Sequence, residues 1–244
     1  MCLSMIPFAA IMVAIEIING NAKFEFNIIP IGLLILAMFL RYNKQHAVQG
    51  SLKYLNPYEV STYMSLGVIL AFIVDSVLGI KEFTITTALS IFLTLLGVFI
   101  LADVKLKIKE LQKDLIVRIL CEVALGYVAH YMLKHWSNAV YILLLNLFLT
   151  LMFSRGYNFK YHKAHKNIIK WVFLQQSFGF FTIYLGNYLS SNSVTLYQYV
   201  RPVGIVFTIF VAFLLKNIDR KPKLKDLFAV CLVALGIYLI NTNI

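Results

Sequence analysis

From Gly186 to Ile240 the chain reads GNYLSSNSVTLYQYVRPVGIVFTIFVAFLLKNIDRKPKLKDLFAVCLVALGIYLI, and from Gly50 to Ile100 it reads GSLKYLNPYEVSTYMSLGVILAFIVDSVLGIKEFTITTALSIFLTLLGVFI. In both stretches an Asn follows the opening Gly after six residues, as Asn56 after Gly50 and Asn192 after Gly186. A long apolar run, a short polar break, a second apolar run and a late Gly (Gly97, Gly236) within an aliphatic and aromatic cluster come next. The copies lie 136 residues apart before the break and 139 after it, so a three-residue gap aligns them. A repeat of this kind in an apolar chain marks a transporter architecture, with the substrate site between the repeats.

The composition fits that reading. Of 244 residues, 60% are hydrophobic and 14% charged, with a mean hydropathy of +0.80. Apolar runs of about 20 residues, enough to span a bilayer as helix, recur along the chain. A lipid-facing barrel would instead alternate over segments of about ten residues. The expected class is all-α: a polytopic membrane protein of about nine transmembrane helices in two inverted repeats. A net charge of +11 raises nucleic acid as a partner. The charges sit in short links between apolar runs, so topology accounts for them and no nucleic acid is expected.

Nine spans follow in order: Cys2 to Asn19, a second beginning near Ile28, Tyr58 to Ile80, Thr84 to Ala102, Leu115 to Leu133, Asn138 to Phe153, Ile168 to Ser190, Thr195 to Leu215, and Leu224 to Ile240. The first lacks a basic leader and a small-residue cleavage site, so it does not read as a signal peptide. The even-numbered links hold 17 of the 22 Lys and Arg residues and the odd-numbered links three, with Arg118 and Arg201 inside spans. Basic residues accumulate on the cytoplasmic side. The expected location is the cell membrane, multi-pass, with even links cytoplasmic and the C-terminus outside.

The two halves resemble the EamA-type repeats of the drug/metabolite transporter superfamily. The resemblance is carried by SLKYLNPYEVSTYM with GVFILA in the first half and YVRPVGIVFTIFVAFLL with LVALGIYLI in the second. The stretch FLRYNKQHAVQGSLKYLNPYEV, from Phe39 to Val60, is similar to the corresponding stretch of nucleotide-sugar transporters in that superfamily. The resemblance implies ten helices in two inverted five-helix repeats and alternating access. On that plan residues 1–103 are a first repeat of four spans lacking the first family helix. Residues 104–114 are a charged connector, and 115–244 a second repeat of five spans. The chain is then either a nine-helix form or one without its true start. The family's acidic residue after the penultimate span of each repeat is matched loosely by Glu82 and Asp219. Relatives are described with both ends in the cytosol; the distribution of basic residues places this C-terminus outside.

Charges within spans are costly to bury and mark candidate sites. Arg118, Glu122, Gly126, His130 and Lys134 recur at steps of four, forming one polar helical stripe. It reads as a cavity wall with Glu122 or His130 carrying a coupling proton, or as an Arg118–Glu122 pair neutralising itself near an interface. The end of the second span is open. If it stops at Leu40, Arg41 and Lys44 lie in a cytoplasmic link. The 136-residue offset instead sets them opposite Ser177 and Phe180, well inside a span, where they would attract an anion. Arg201, beside Pro202, is a substrate contact or the ion partner of Glu16, Asp75 or Glu122. Glu16 and Asp75 themselves lie near span ends, at the interface. Gln175, Gln176 and Asn187 give the seventh span a polar side, for interhelical bonding or for ligand. Tyr199, with Tyr184, Tyr188 and Tyr197, is a candidate cavity lining. Trp136 and Trp171 read as interfacial anchors.

The sequence has no phosphate loop of the GxxxxGK[ST] type, no HExxH and no CxxC. Cys2, Cys121 and Cys231 lack metal-ligand spacing and read as small buried hydrophobes. His162 and His165 read as solvated loop residues. No catalytic residue, metal or cofactor is expected, and the chain is not read as an enzyme. The expected function is a permease: secondary, ATP-independent transport of a small polar metabolite, with an anionic lean from Arg41, Lys44 and Arg201. A membrane-embedded transferase and a non-transporting membrane partner protein are the alternatives. The expected partners are the lipid bilayer and a small-molecule substrate, and homodimer formation is left open. A reporter fused after Ile244 is expected to score as external and one in the connector at 104–114 as cytoplasmic, which protease protection of tagged spheroplasts will read.

Overall fold

In the computed structural model the described residues are 2–55, 57–80, 82, 84–104, 112–154, 166–214 and 224–241; side chains are described within these except at 2–3, 57–58, 153–154, 166–177, 201, 208–214 and 241. The described chain is helical: α1 Cys2–Ile18, α2 Ile28–Ser51, α3 Pro57–Met64, α4 Gly67–Val77, α5 Ile85–Ala102, α6 Lys113–Met132, α7 Asn138–Ser154, α8 Lys166–Asn192, α9 Val194–Leu214 and α10 Leu224–Asn241. The only strand-like pairing among the described residues is an isolated antiparallel bridge between Phe24 and Trp136. Among the described residues three helical stretches are long and apolar enough to cross a membrane: Glu59–Val77, Ile85–Ala102 and Lys113–Met132. Ser4–Ile18 and Asn138–Met152 are shorter and equally apolar in character.

The helices follow the expected spans closely, with two differences. The second span does not stop at Leu40. Helix α2 continues through Arg41 and Lys44 to Ser51, so both cations are helical rather than part of a loop. The third span is interrupted. At Ser65 and Leu66 the ladder tightens to three-residue bonds, with Ser65 N donating to Thr62 O and Leu66 N to Tyr63 O. The Ser65 hydroxyl also donates back to Thr62 O at 2.5 Å, and Gly67 follows. A back-bonding serine beside a glycine is a recognised cause of such a break.

The chain forms two compact units, residues Met1–Arg41 with Leu125–Asn192 and residues Tyr42–Ala124 with Ser193–Ile244. Each unit draws on both halves of the sequence, so compactness does not follow the connector at 104–114, most of which lies outside the described residues. In the first unit α1 packs along α7 and both pack against α8. Met5, Ala9, Ile142 and Phe180 form one buried cluster, and Leu34, Ala37, Val128, Ala129 and Trp136 contribute to another. The link before α2 is tied to the link before α7. Ser137 N donates to Lys23 O and Trp136 Nε1 to Glu25 O, both at 2.8 Å, and the Phe24 and Trp136 rings stack at 5.1 Å. Trp136, expected as an interfacial anchor, is 2% exposed and closes the core at this end. Glu25 sits between His135 (2.6 Å) and Lys23 (3.0 Å), which hold its carboxyl below the usual carboxylate range.

In the second unit α5 lies against α10, and α9 packs on α3, α4 and α5. The α5–α10 contact is reciprocal. A Cβ on Gly97 would fall 2.6 Å from Ala229 O and 2.7 Å from Val233 Cγ2; a Cβ on Gly236 would fall 2.8 Å from Ser90 O and 2.1 Å from Thr94 Oγ1. Ser90, Thr94 and Gly97 are the residues that the 139-residue offset equates with Ala229, Val233 and Gly236. As residue numbers rise along α5 the partners on α10 fall, so the two helices run antiparallel. Two of the three other offset-related pairs described, α1 with α7 and α3–α4 with α9, also pack on one another; the third is α2 with α8.

Gly97→Ala and Gly236→Ala are each expected to destabilise the protein by roughly 1–3 kcal/mol through overpacking, and by similar amounts. Gly32→Ala meets nothing within 4 Å and is expected to be neutral or stabilising. Melting of the three variants in detergent tests the comparison.

Candidate functional site

A polar centre lies in the second unit where α2, α6 and α9 converge. Lys44 on α2 forms an ion pair with Glu122 on α6. The Tyr197 hydroxyl on α9 donates to Glu122 Oε1 at 2.9 Å. One turn earlier on α6, Arg118 Nη1 reaches the Ser51 hydroxyl at 3.5 Å. The Glu122 side chain is 5% exposed and that of Lys44 23%, so the pair is largely withdrawn from solvent. Removing both charges from water costs several kcal/mol per ion, offset only by close pairing and additional hydrogen bonds. Local sequence places each group: α2 runs unbroken through Lys44 because no Gly or Pro intervenes between Leu33 and Gln49, and Arg118 and Glu122 share an α6 face at a spacing of four.

The expected stripe on α6 divides along its length. Glu122 and Arg118 belong to the centre just described. His130 is buried in the first unit, its Nδ1 lying 2.9 Å from Ser190 O, and the Lys134 ammonium sits 4.7 Å over the Tyr131 ring. Arg41, one turn before Lys44, has a buried Nε with no hydrogen-bond partner among the described residues. Asn187 donates to Asn138 Oδ1 at 2.9 Å, and Asn138 donates to Tyr184 O at 2.6 Å, the interhelical role that was one of its two readings. Tyr199 is 5% exposed, its hydroxyl 2.6 Å from Ser90 Oγ and 2.8 Å from Thr94 Oγ1. It binds α9 to α5 rather than lining open space. Gln175, Gln176 and Arg201 lie on α8 and α9, with side chains outside the described residues, as are His162, His165, Trp171 and Asp219. Glu82 is exposed.

Two carboxylates expected at interfaces are buried instead. Asp75 Oδ2 accepts from Thr195 N (2.9 Å), Thr195 Oγ1 (2.7 Å) and Ser193 Oγ (2.7 Å), capping the start of α9. Glu16 accepts from Ala139 N (3.2 Å), Ser137 Oγ (2.5 Å) and Tyr184 Oη (3.1 Å), capping the start of α7. Each negative charge meets the unpaired N–H groups and positive dipole end of a helix far away in sequence, which stabilises its burial. Sequence reading also passed over Gln198. Its side chain is fully buried against Gly67, and neither amide atom has a hydrogen-bond partner among the described residues. The sequence signal was a lone amide between Tyr197 and Tyr199 in an apolar run.

Among the described residues no group of His, Cys, Asp and Glu is placed to hold a metal ion. The centre instead offers a cation, a titratable carboxylate and a phenol, which suits anion binding and proton transfer. No protein-family model matches the chain, and none of the curated proteins matches it in sequence.

Lys44→Met is expected to cost roughly 3–5 kcal/mol by leaving Glu122 buried without its cation, whereas Lys44→Met with Glu122→Gln is expected to recover most of that loss. Chemical denaturation of the single and double variants measures the coupling.

Proposed function

We propose that this protein is a secondary transporter of the EamA type within the drug/metabolite transporter superfamily. It spans the cell membrane with two repeats of opposite orientation and moves a small polar, anionic metabolite by alternating access. The observation that carries the reading is the reciprocal packing of α5 and α10. Contacts that map onto themselves under a sequence offset, between antiparallel helices, are those of a two-fold axis perpendicular to the helices. In a bilayer such an axis lies in the membrane plane, which is the symmetry of inverted-repeat transporters.

Further support comes from the links. Lys225, in the first turn of α10, pairs with Asp103 at 2.6 Å beside two even-numbered connections, while Phe24 pairs with Trp136 between two odd-numbered ones and Asp75, in the last turn of α4, meets Ser193 of another odd-numbered one. That is the pattern of spans crossing in alternation. The Lys44–Glu122–Tyr197 centre supplies what such a transporter needs at its core, a charge for substrate and a group that titrates. The centre is also one-sided: the position equated with Lys44 is Phe180, packed in apolar surroundings.

Metabolites are compared inside and outside matched cells with the protein present, absent, or carrying Glu122→Gln. The expected outcome is one anionic compound that redistributes with the intact protein and not with the variant. No redistribution of any compound, with the protein confirmed in the membrane, would remove the transporter reading. Unchanged redistribution after charge-neutral substitution of Arg41, Lys44 and Arg201 together would remove the anionic substrate.

A further inference from the structure

We infer that Glu122 holds the place of the substrate anion on Lys44, so that the protein binds one anion together with one proton. The inference rests on the transporter reading above and assigns the coupling of its site.

Glu122 and a small carboxylate or phosphate present the same chemistry to Lys44. In this structure the ammonium is occupied by Glu122, whose second oxygen accepts from Tyr197. A substrate anion reaching Lys44 takes over the ion pair. Glu122 is then a nearly buried carboxylate that has lost its ion-pair contact with Lys44, and the ionised form in that setting is more expensive than before. It takes a proton from solution. The balance is simple: one R–COO⁻ gains the Lys44 contact, one Glu122 carboxylate becomes a carboxylic acid, and one H⁺ is consumed. The charge of the centre is the same before and after, so the loaded site carries no more buried charge than the empty one. The charged and titratable groups facing Glu122 are Lys44 from α2, Tyr197 from α9, and Arg118 and Cys121 on α6 itself. Asp114, one turn before Arg118 on α6 and beside Gly50 of α2, is a second carboxylate at this end, so two cations stand beside two carboxylates. With Glu122 neutral, the centre is cationic and selects an anion of any source by charge. Tyr197 stays within reach of Glu122 in both states, as donor to the carboxylate and as partner to the acid.

The test uses the purified full-length protein in detergent, with acetate, succinate and inorganic phosphate as probes and thermal stabilisation as readout, at about pH 5.5 and about pH 7.5. The inference expects at least one probe to stabilise the protein, with apparent affinity rising by up to about tenfold per pH unit as pH falls, the limit for one linked proton. Glu122→Gln mimics the protonated acid and is expected to bind the same probe tightly at both pH values. Lys44→Gln with Glu122→Gln, neutral at both positions, is expected to fold and to lose the probe. Stabilisation that keeps its full pH dependence in Glu122→Gln would overturn the inference. So would probe binding that survives the double substitution, or the absence of stabilisation by every probe in the parent and in Glu122→Gln. Flux is measured separately in vesicles. Linked binding of anion and proton without flux would remove the transporter reading and leave the ion exchange at Lys44 standing, whereas flux with pH-independent binding would do the reverse.

Discussion

Two backbones meet at glycine in this protein, and much of the second unit is arranged around that meeting. Gly97 and Gly236 let α5 and α10 approach until carbonyl oxygens and side-chain atoms occupy the space a Cβ would need. At that separation Ser90 Oγ reaches Gly236 O at 2.6 Å, and Tyr199 can bond Ser90 and Thr94 together, which draws α9 onto the pair. Small residues allowing close approach, reinforced by short polar bonds, are how helices associate when the surroundings are as apolar as the side chains. The arrangement is used once in each direction, and the 139-residue offset equates the residues on the two sides.

The same offsets separate the features that are paired from those that are not. Packing residues recur at equivalent positions: Tyr63 and Tyr199 are both buried, and each lies in the middle of a span. Ionic residues do not recur. Lys44 corresponds to Phe180, and Glu122 lies on α6, which has no counterpart among the described helices of the first half. Under the offset, packing residues recur and ionic ones do not. The carboxylates at Glu16 and Asp75 belong to the framework. Both end helices of the first half, and both cap helices of the second, so they fasten links expected on the same face.

The helices were legible because a long run of apolar residues has few alternatives. The end of α2 was not, since a polar helical turn and a polar loop have the same composition; only the repeat offset hinted that Arg41 and Lys44 continue the helix. The reading of Glu16 and Asp75 as interfacial erred for a different reason. Their partners are 123 and 120 residues away, and a carboxylate paired with helix N–H groups leaves no nearby cation to betray it. The spacing of Arg118 and Glu122 revealed a shared face, but the choice of Lys44 as the partner of Glu122 depends on tertiary placement. Gln198 was overlooked because one amide in an apolar run has no period, and its lack of partners is a property of the fold alone.

The break at Ser65 and Leu66 has a mechanical consequence. Under the 136-residue offset it faces Arg201 and Pro202, and a proline at 202 deprives the Gln198 carbonyl of its helical N–H. Equivalent helices are therefore weakened at one level, by different means. On one side of that level, α4 and the first turns of α9 are clipped together through Asp75. On the other side, α3 follows a link that carries Lys53, and the remainder of α9 leads toward the link that carries Lys216, Arg220, Lys221 and Lys223. A pair of rods jointed at the same height and riveted at one end flexes at the other. The riveted end and the α5–α10 pair are then the anchor against which the free end bends.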